Sequence, residues 1–158
     1  MIHVGIGYDI HRFGEGRKLV LGGVEIPHDR GLEGHSDADA LMHAICDAIL
    51  GALGEPDIGH FFKNTDPRWR NAPSRVFLQE VARQIEFHQG RLVNVDATVI
   101  AETPKLAPYV QQMKFNIASA LGANVKRIGV KATTNETLGA IGRGEGIAAM
   151  AVASVDLP

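Results

Sequence analysis

The chain is predicted to fold as α+β, a mixed β-sheet with helices packed on one face. Three observations carry that reading. Apolar residues alternate with a period of two in several short segments and recur every three or four residues in three longer ones. The segments run strand, hairpin, helix, helix, strand, helix, strand, strand, which is not a regular βα succession. The 158 residues are 45% hydrophobic and 22% charged. A chain of that size buries enough surface for one core without disulfides or metal, so one domain over residues 1–158 is expected.

Residues 4–11 alternate as a strand, with Val4, Ile6, Tyr8 and Ile10 on one face and Asp9 and His11 on the other. Residues 18–21 and 24–26 form a short hairpin around Gly22-Gly23, and residues 31–36 are loop. Ser36 or Asp37 is expected to cap a helix that runs to about Leu53 and stops at Gly54 and Pro56. Residues 57–73 are rich in Asp, Gly, Asn, Pro and Thr and read as one long loop, a length that usually signals function. Ser74 is expected to cap a second helix to about His88, with Phe77, Leu78, Val81, Ala82 and Ile85 on its apolar stripe. Residues 92–101 alternate, with Val93, Val95, Ala97 and Val99 on the buried face. Pro108 opens a third helix striped by Val110, Met113, Ile117 and Leu121 and closed by Gly122. Residues 127–133 are a strand, 134–146 a glycine-rich loop with room for one helical turn, and 147–155 the closing strand.

Sixteen Lys and Arg stand against eighteen Asp and Glu. That balance provides no basic field, so neither nucleic acid nor an anionic membrane is an expected partner. No apolar run reaches the length of a membrane span, and no signal or transit peptide is recognised. The chain is read as beginning at its first structural element. A single cysteine, Cys46, allows no internal disulfide and fits a reducing, cytoplasmic setting.

Asp9 and His11 project from one strand face about 7 Å apart. The first helix carries Asp39, His43 and Asp47 at intervals of four, stacked on one side. From Ala38 to Leu53 it has no Lys, Arg or Glu. A helix without long charged side chains is buried on several sides, so its polar stripe needs partners in the protein or a ligand. Asp9, His11 and His43 would make a three-ligand zinc site with one open position, the pattern of catalytic zinc. Asp47, one turn beyond His43, is expected to orient its imidazole. Gly34-His35-Ser36-Asp37 lies at the helix start, where free N–H groups favour a phosphate. Thr133, Thr134 and Glu136, followed by several glycines, suit a magnesium diphosphate. Neither a P-loop nor a dinucleotide-binding glycine motif is present.

Read together, these segments resemble the 2-C-methyl-D-erythritol 2,4-cyclodiphosphate synthase family of the non-mevalonate isoprenoid pathway. The resemblance rests on Gly7-Tyr8-Asp9-Ile10-His11, His35-Ser36-Asp37-Ala38-Asp39, Asp57-Ile58-Gly59, Thr65-Asp66-Pro67, Asn94-Val95-Asp96, Pro104-Lys105, Lys131-Ala132-Thr133-Thr134 and Gly142-Arg143-Gly144-Glu145-Gly146. It spans essentially the whole chain, which looks like the stand-alone enzyme, too short to include the cytidylyltransferase of bifunctional relatives. The resemblance implies conversion of 4-diphosphocytidyl-2-C-methyl-D-erythritol 2-phosphate to the cyclic diphosphate with release of CMP. It implies one zinc ion per chain on Asp9, His11 and His43, and magnesium or manganese on Glu136. His35 and Thr134 match the transition-state stabilisers and Ser36 a phosphate contact. Asp57 and Gly59 match the ribose contacts, and Ala101, Lys105, Leu106, Ala107 and Thr133 the cytosine pocket. Phe62, Asn64, Thr65, Asp66 and Arg143 complete the expected substrate-binding set. The family assembles as homotrimers, with sheets towards the three-fold axis and active sites between subunits. Arg143 and Glu145 are expected to line that axis and hold an anion.

The sequence departs from the family's common pattern at Lys63 and Asn64, which often are proline and aspartate. It departs also at Asn135, often threonine, and at Ala140, often aromatic. Two other functions fit the same residues less fully: a zinc-dependent phosphohydrolase with water in the open position, and a non-enzymatic trimeric binding module.

Overall fold

A computed structural model describes residues 1–158. The elements follow in the order β1 (Ile2–Gly14), β2 (Leu19–Leu21), β3 (Val24–Ile26), β4 (Gly31–Leu32), α1 (Ala40–Leu53), α2 (Ile58–Phe61), α3 (Arg75–Phe87), β5 (Arg91–Ile100), α4 (Val110–Ala120), β6 (Ile128–Thr133), α5 (Gly139–Gly142) and β7 (Gly146–Asp156). The main sheet has the order β4-β1-β7-β5-β6, and β2 pairs with β3. β5 and β6 run parallel while β1–β4, β1–β7 and β5–β7 run antiparallel, so the sheet is mixed as predicted. Gly22 and Gly23 both have positive φ (56° and 68°), the backbone a two-residue hairpin turn requires.

Helices cover one face of the sheet. Residues from α1, α3 and α4 join β5, β6 and β7 in a continuous core of 38 buried residues. α1 lies directly on β1 because β1 turns Gly5 and Gly7 towards it. A Cβ built on Gly7 would meet the Ala44 carbonyl oxygen at 1.9 Å, and one on Gly5 the Ala48 carbonyl oxygen at 2.1 Å. That close approach carries His43 to Asp9 and His11.

The other face of the sheet is uncovered, and it is apolar. Val4, Ile6, Tyr8 and Ile10 point there and are 64%, 67%, 54% and 47% exposed, beside Met150 and Val152. The alternation of β1 is therefore inverted relative to an ordinary half-buried strand. Its glycines and its two polar ligands face the helix, and its large apolar residues face outward. In β5 the buried set is Leu92, Val95, Ala97 and Val99, with Val93 only half-buried. An irregularity in the β5–β7 register between Leu92 and Asn94 turns Leu92 inward in place of Val93.

The caps also differ from expectation. The N-cap of α1 is Asp39, not Ser36 or Asp37; its side chain accepts from the Met42 N–H. Asp39 is fully buried, and its carboxylate also accepts from the Gly22 and Gly23 N–H groups at 2.9 and 2.7 Å. It thereby ties the hairpin turn to the start of the helix. Ser74 does stand at the N-cap of α3, but its hydroxyl makes no cap hydrogen bond.

Burial, reinforced by the charge of Asp37, raises the Asp39 pKa to about 6 against the pull of the three backbone N–H groups. The folded chain then keeps this proton up to about pH 6, whereas the unfolded chain releases it near the model-peptide value of 3.8. The folded state binds more protons inside that window, so stability falls as pH rises through it. Denaturant melts between pH 4 and 6 should show this slope, and Asp39→Asn should flatten it.

Candidate active site

β1 and α1 bring Asp9, His11 and His43 together. Asp9 Oδ2 lies 2.8 Å from His11 Nε2 and 3.0 Å from His43 Nδ1, and the two ring nitrogens are 3.4 Å apart. A tetrahedral ion with ligands at about 2.0–2.1 Å has ligand–ligand edges of about 3.3 Å. The triangle fits such an ion after a slight opening. His11 Nδ1 donates to the Glu33 carbonyl at 2.6 Å. That bond leaves the lone pair on Nε2, the atom facing the triangle, as metal-bound histidines require. One carboxylate and two imidazoles so arranged can hold a divalent metal. Burial of Asp9 works to raise its pKa, but its contacts with the His11 and His43 rings outweigh it and hold the carboxyl well below the usual range. For His11 burial pulls the pKa down, and the Asp9 carboxylate more than offsets it.

The triad opens on a cleft of about 270 Å³ lined by His11, His35, Ser36, His43, Gly59, Phe62 and Asn64, among others. Trp69 and Phe77 also line it, and with Phe62 they form an aromatic wall with centroids 4.3–5.9 Å apart. The loop 57–73 folds over the metal triad through α2 and a 3₁₀ turn, Pro67–Trp69. Asp57 caps α2, accepting from the His60 N–H. His35 Nε2 donates to the Asp66 carbonyl at 2.9 Å. The Asp66 carboxylate is engaged by Arg68, and Asp57, Thr65 and Asp66 are not among the cleft's lining residues. Arg17 donates to the Gly34 and Ser36 carbonyls on either side of His35 and so braces that segment.

A second cavity, of about 180 Å³, lies at the far edge of the sheet. Ala101, Lys105, Leu106, Ala107, Thr133 and Thr134 line it together. Glu136 sits just outside with a positive φ of 50°. Its carboxylate accepts from Thr134 Oγ1 at 3.4 Å. Glu102 accepts from the Asn135 N–H at 2.9 Å and the Thr137 N–H at 3.3 Å, which anchors this loop. Arg143 belongs to neither cavity; it pairs with Glu145 at 2.7 Å. The pairing registers place Asp9, Ala149, Val99 and Ala132 in one row across the sheet. Three inter-strand steps of about 4.8 Å separate the two ends of that row, about 14 Å in all. Within one chain the two half-sites therefore stand on opposite sheet edges.

One expected contact is corrected. Asp47 does not hold the His43 imidazole; its carboxylate accepts from the Ile58 N–H at 2.8 Å and so positions α2. A spacing of four residues puts two side chains on one helix face, but the neighbouring chain decides which donor each meets. Trp69, Phe77, Arg17 and Glu102 were not among the expected site residues. The first two look like ordinary core aromatics, and the others act through backbone groups that leave no sequence pattern.

The YgbB family matches residues 2–156 of the chain. A 2-C-methyl-D-erythritol 2,4-cyclodiphosphate synthase from Syntrophotalea carbinolica is 59% identical over 152 residues, covering 96% of this chain and 93% of that protein. Among solved structures, the bifunctional IspDF of Campylobacter jejuni superposes with a TM-score of 0.90 at 42% identity over 100% of this chain, which spans 43% of that longer protein. IspF of Plasmodium falciparum in complex with CDP superposes with a TM-score of 0.86 at 36% identity, covering 99% of this chain and 96% of that one. The chain is thus an enzyme of the cyclodiphosphate synthase class, like its curated relatives. It belongs to the YgbB family, the family of the 2-C-methyl-D-erythritol 2,4-cyclodiphosphate synthases.

Proposed function

We propose that the chain converts 4-diphosphocytidyl-2-C-methyl-D-erythritol 2-phosphate to 2-C-methyl-D-erythritol 2,4-cyclodiphosphate and CMP. The observation that carries this reading is the Asp9–His11–His43 triangle opening on a cleft lined by His35 and Ser36. The 2-phosphate, largely dianionic at neutral pH because its second pKa is near ~6, attacks the β-phosphorus and the bond to the CMP oxygen breaks. Such a nucleophile needs no general base. It needs alignment and neutralisation of repelling charge. We assign zinc to the triad because its donor set and triangle suit a four-coordinate site. When bound, the ion supplies positive charge to the phosphate oxygens. His35 and Thr134 stabilise charge on the transferring group, and Ser36 donates to a phosphate oxygen. Glu136 would hold magnesium or manganese, which would supply positive charge to the diphosphate. Gly59 and Asp57 take the ribose, and the cavity from Ala101 to Thr133 takes cytosine. Phe62, Asn64, Thr65 and Asp66 form the sugar-alcohol end. The CDP complex of the Plasmodium falciparum protein supports a cytidine-diphospho ligand. ³¹P NMR should show CMP and cyclic diphosphate forming in equal amounts; hydrolysis to inorganic phosphate would count against the assignment.

The proposal includes a homotrimer. Val4, Ile6, Tyr8, Ile10, Met150 and Val152 form an apolar sheet face that no helix covers, and such faces mark association surfaces. Three such faces around one axis would bring the triad edge of one sheet against the second-cavity edge of the next. Light scattering should then give about three times 17.0 kDa. Ile6→Asp should yield a monomer that still binds zinc but has lost turnover. A monomeric native enzyme with full activity would refute the shared-site arrangement.

A further inference from the structure

His43 offers Nδ1 to the donor triangle, so its Nε2 must be held by something else if the ring is to keep that orientation. Ser74 Oγ lies 2.8 Å from His43 Nε2. Ser74 is fully buried, and its hydroxyl is not spent on the helix that it begins. Its partner is Asp37. Asp37 Oδ1 accepts from Ser74 Oγ and from the Asp39 N–H, and Oδ2 accepts from the Ser74 N–H at 2.9 Å. Both Asp37 oxygens thus serve as acceptors. The Ser74 hydroxyl proton therefore points at Asp37, and the Ser74 oxygen can only accept from His43 Nε2. Ser36 Oγ also stands 3.2 Å from Nε2. Unlike Ser74, however, it lines the triad cleft and so faces the ligand space. Neither Ser74 nor Asp37 lines that cleft; Asp37 lines a separate cavity with Asn71, Arg75 and Asn116.

We propose that Asp37 and Ser74 are positioning residues acting in series on His43. Asp37 sets the direction of the Ser74 hydroxyl. Ser74 then fixes the imidazole as the Nε2–H form, with the Nδ1 lone pair aimed between Asp9 and His11. This arrangement mirrors on His43 what the Glu33 carbonyl does for His11. The inference rests on the reading that the triad holds a metal.

Zinc is the probe, and affinity is read by competition with a chromophoric chelator. Ser74→Ala should weaken zinc binding by about 10–100-fold, the usual effect of removing a partner behind a ligand. Asp37→Asn should weaken it in the same direction. Because the two act in series, the double variant should bind zinc as Ser74→Ala alone does; fully additive losses would overturn the series. A second readout needs no variant. In the zinc-loaded native protein with ¹⁵N-labelled histidine, the His43 Nε2 proton should exchange slowly with solvent, and Ser74→Ala should make it fast. Fast exchange in the native protein, or zinc affinity unchanged in both single variants, would overturn the proposal. If the native protein itself binds no zinc, the metal reading fails, an outcome distinct from zinc binding that ignores Ser74 and Asp37.

Discussion

His43→Ala should lower turnover by about 10³-fold or more and abolish binding of a divalent ion at the triad, while the fold persists. The magnitude follows from the role. A metal's stabilisation of charge on a phosphoryl group is worth several kcal/mol, and each ~1.4 kcal/mol is a factor of ten. The fold persists because the 38-residue core lies between the helices and the sheet and does not depend on the triad. Metal content by atomic absorption and turnover should fall together, and circular dichroism should be unchanged. Full turnover in a metal-free variant would remove the triad from the chemistry.

Gly7→Ala should do comparable damage without altering any ligand. The new Cβ would stand 1.9 Å from the Ala44 carbonyl oxygen, against an ordinary contact of 3.4 Å or more. Backbone meets backbone there, so no side chain can swing aside. α1 must lift by about 1.5 Å, the difference between these distances. Overpacking of this kind costs about 3 kcal/mol, which a thermal or denaturant melt will register. Metal–ligand distances tolerate only about ±0.2 Å. A lift of that size parts His43, next to Ala44, from Asp9 and His11, so zinc affinity should collapse as well. Native-like affinity in Gly7→Ala would mean that the helix does not set the triangle.

Gly7 also illustrates what the chain discloses of itself and what it hides. The strand register of β1 was legible, and with it the pairing of Asp9 and His11 on one face. The absence of long charged side chains from α1 correctly marked it as buried, and the structure brings His43 to Asp9 and His11. Which face of β1 met the helix was not legible, because its large apolar residues point outward towards a surface that one chain leaves bare. The cap of α1 was misassigned for a related reason. Ser36, Asp37, Asp39 and Ser74 are all good cap residues by type. Only tertiary structure shows that Asp39 is drawn to the hairpin glycines, while Ser74 and Asp37 are drawn towards His43. The residues from Ala101 to Thr134 were grouped by resemblance, and the structure brings them into one cavity. Arg143 stands apart from both cavities, paired with Glu145.

The central claim is that the substrate's own 2-phosphate is the nucleophile. The most direct measurement offers the enzyme, with zinc and magnesium, a cytidine-diphospho sugar alcohol lacking that phosphate, and follows CMP release by ³¹P NMR. The diphosphate and cytosine would still be gripped, so the compound should bind and compete with the true substrate. No aligned attacking oxygen would remain, and CMP should not appear. Rapid release of CMP from this compound would mean that water attacks, and the cyclisation account would give way to a phosphohydrolase.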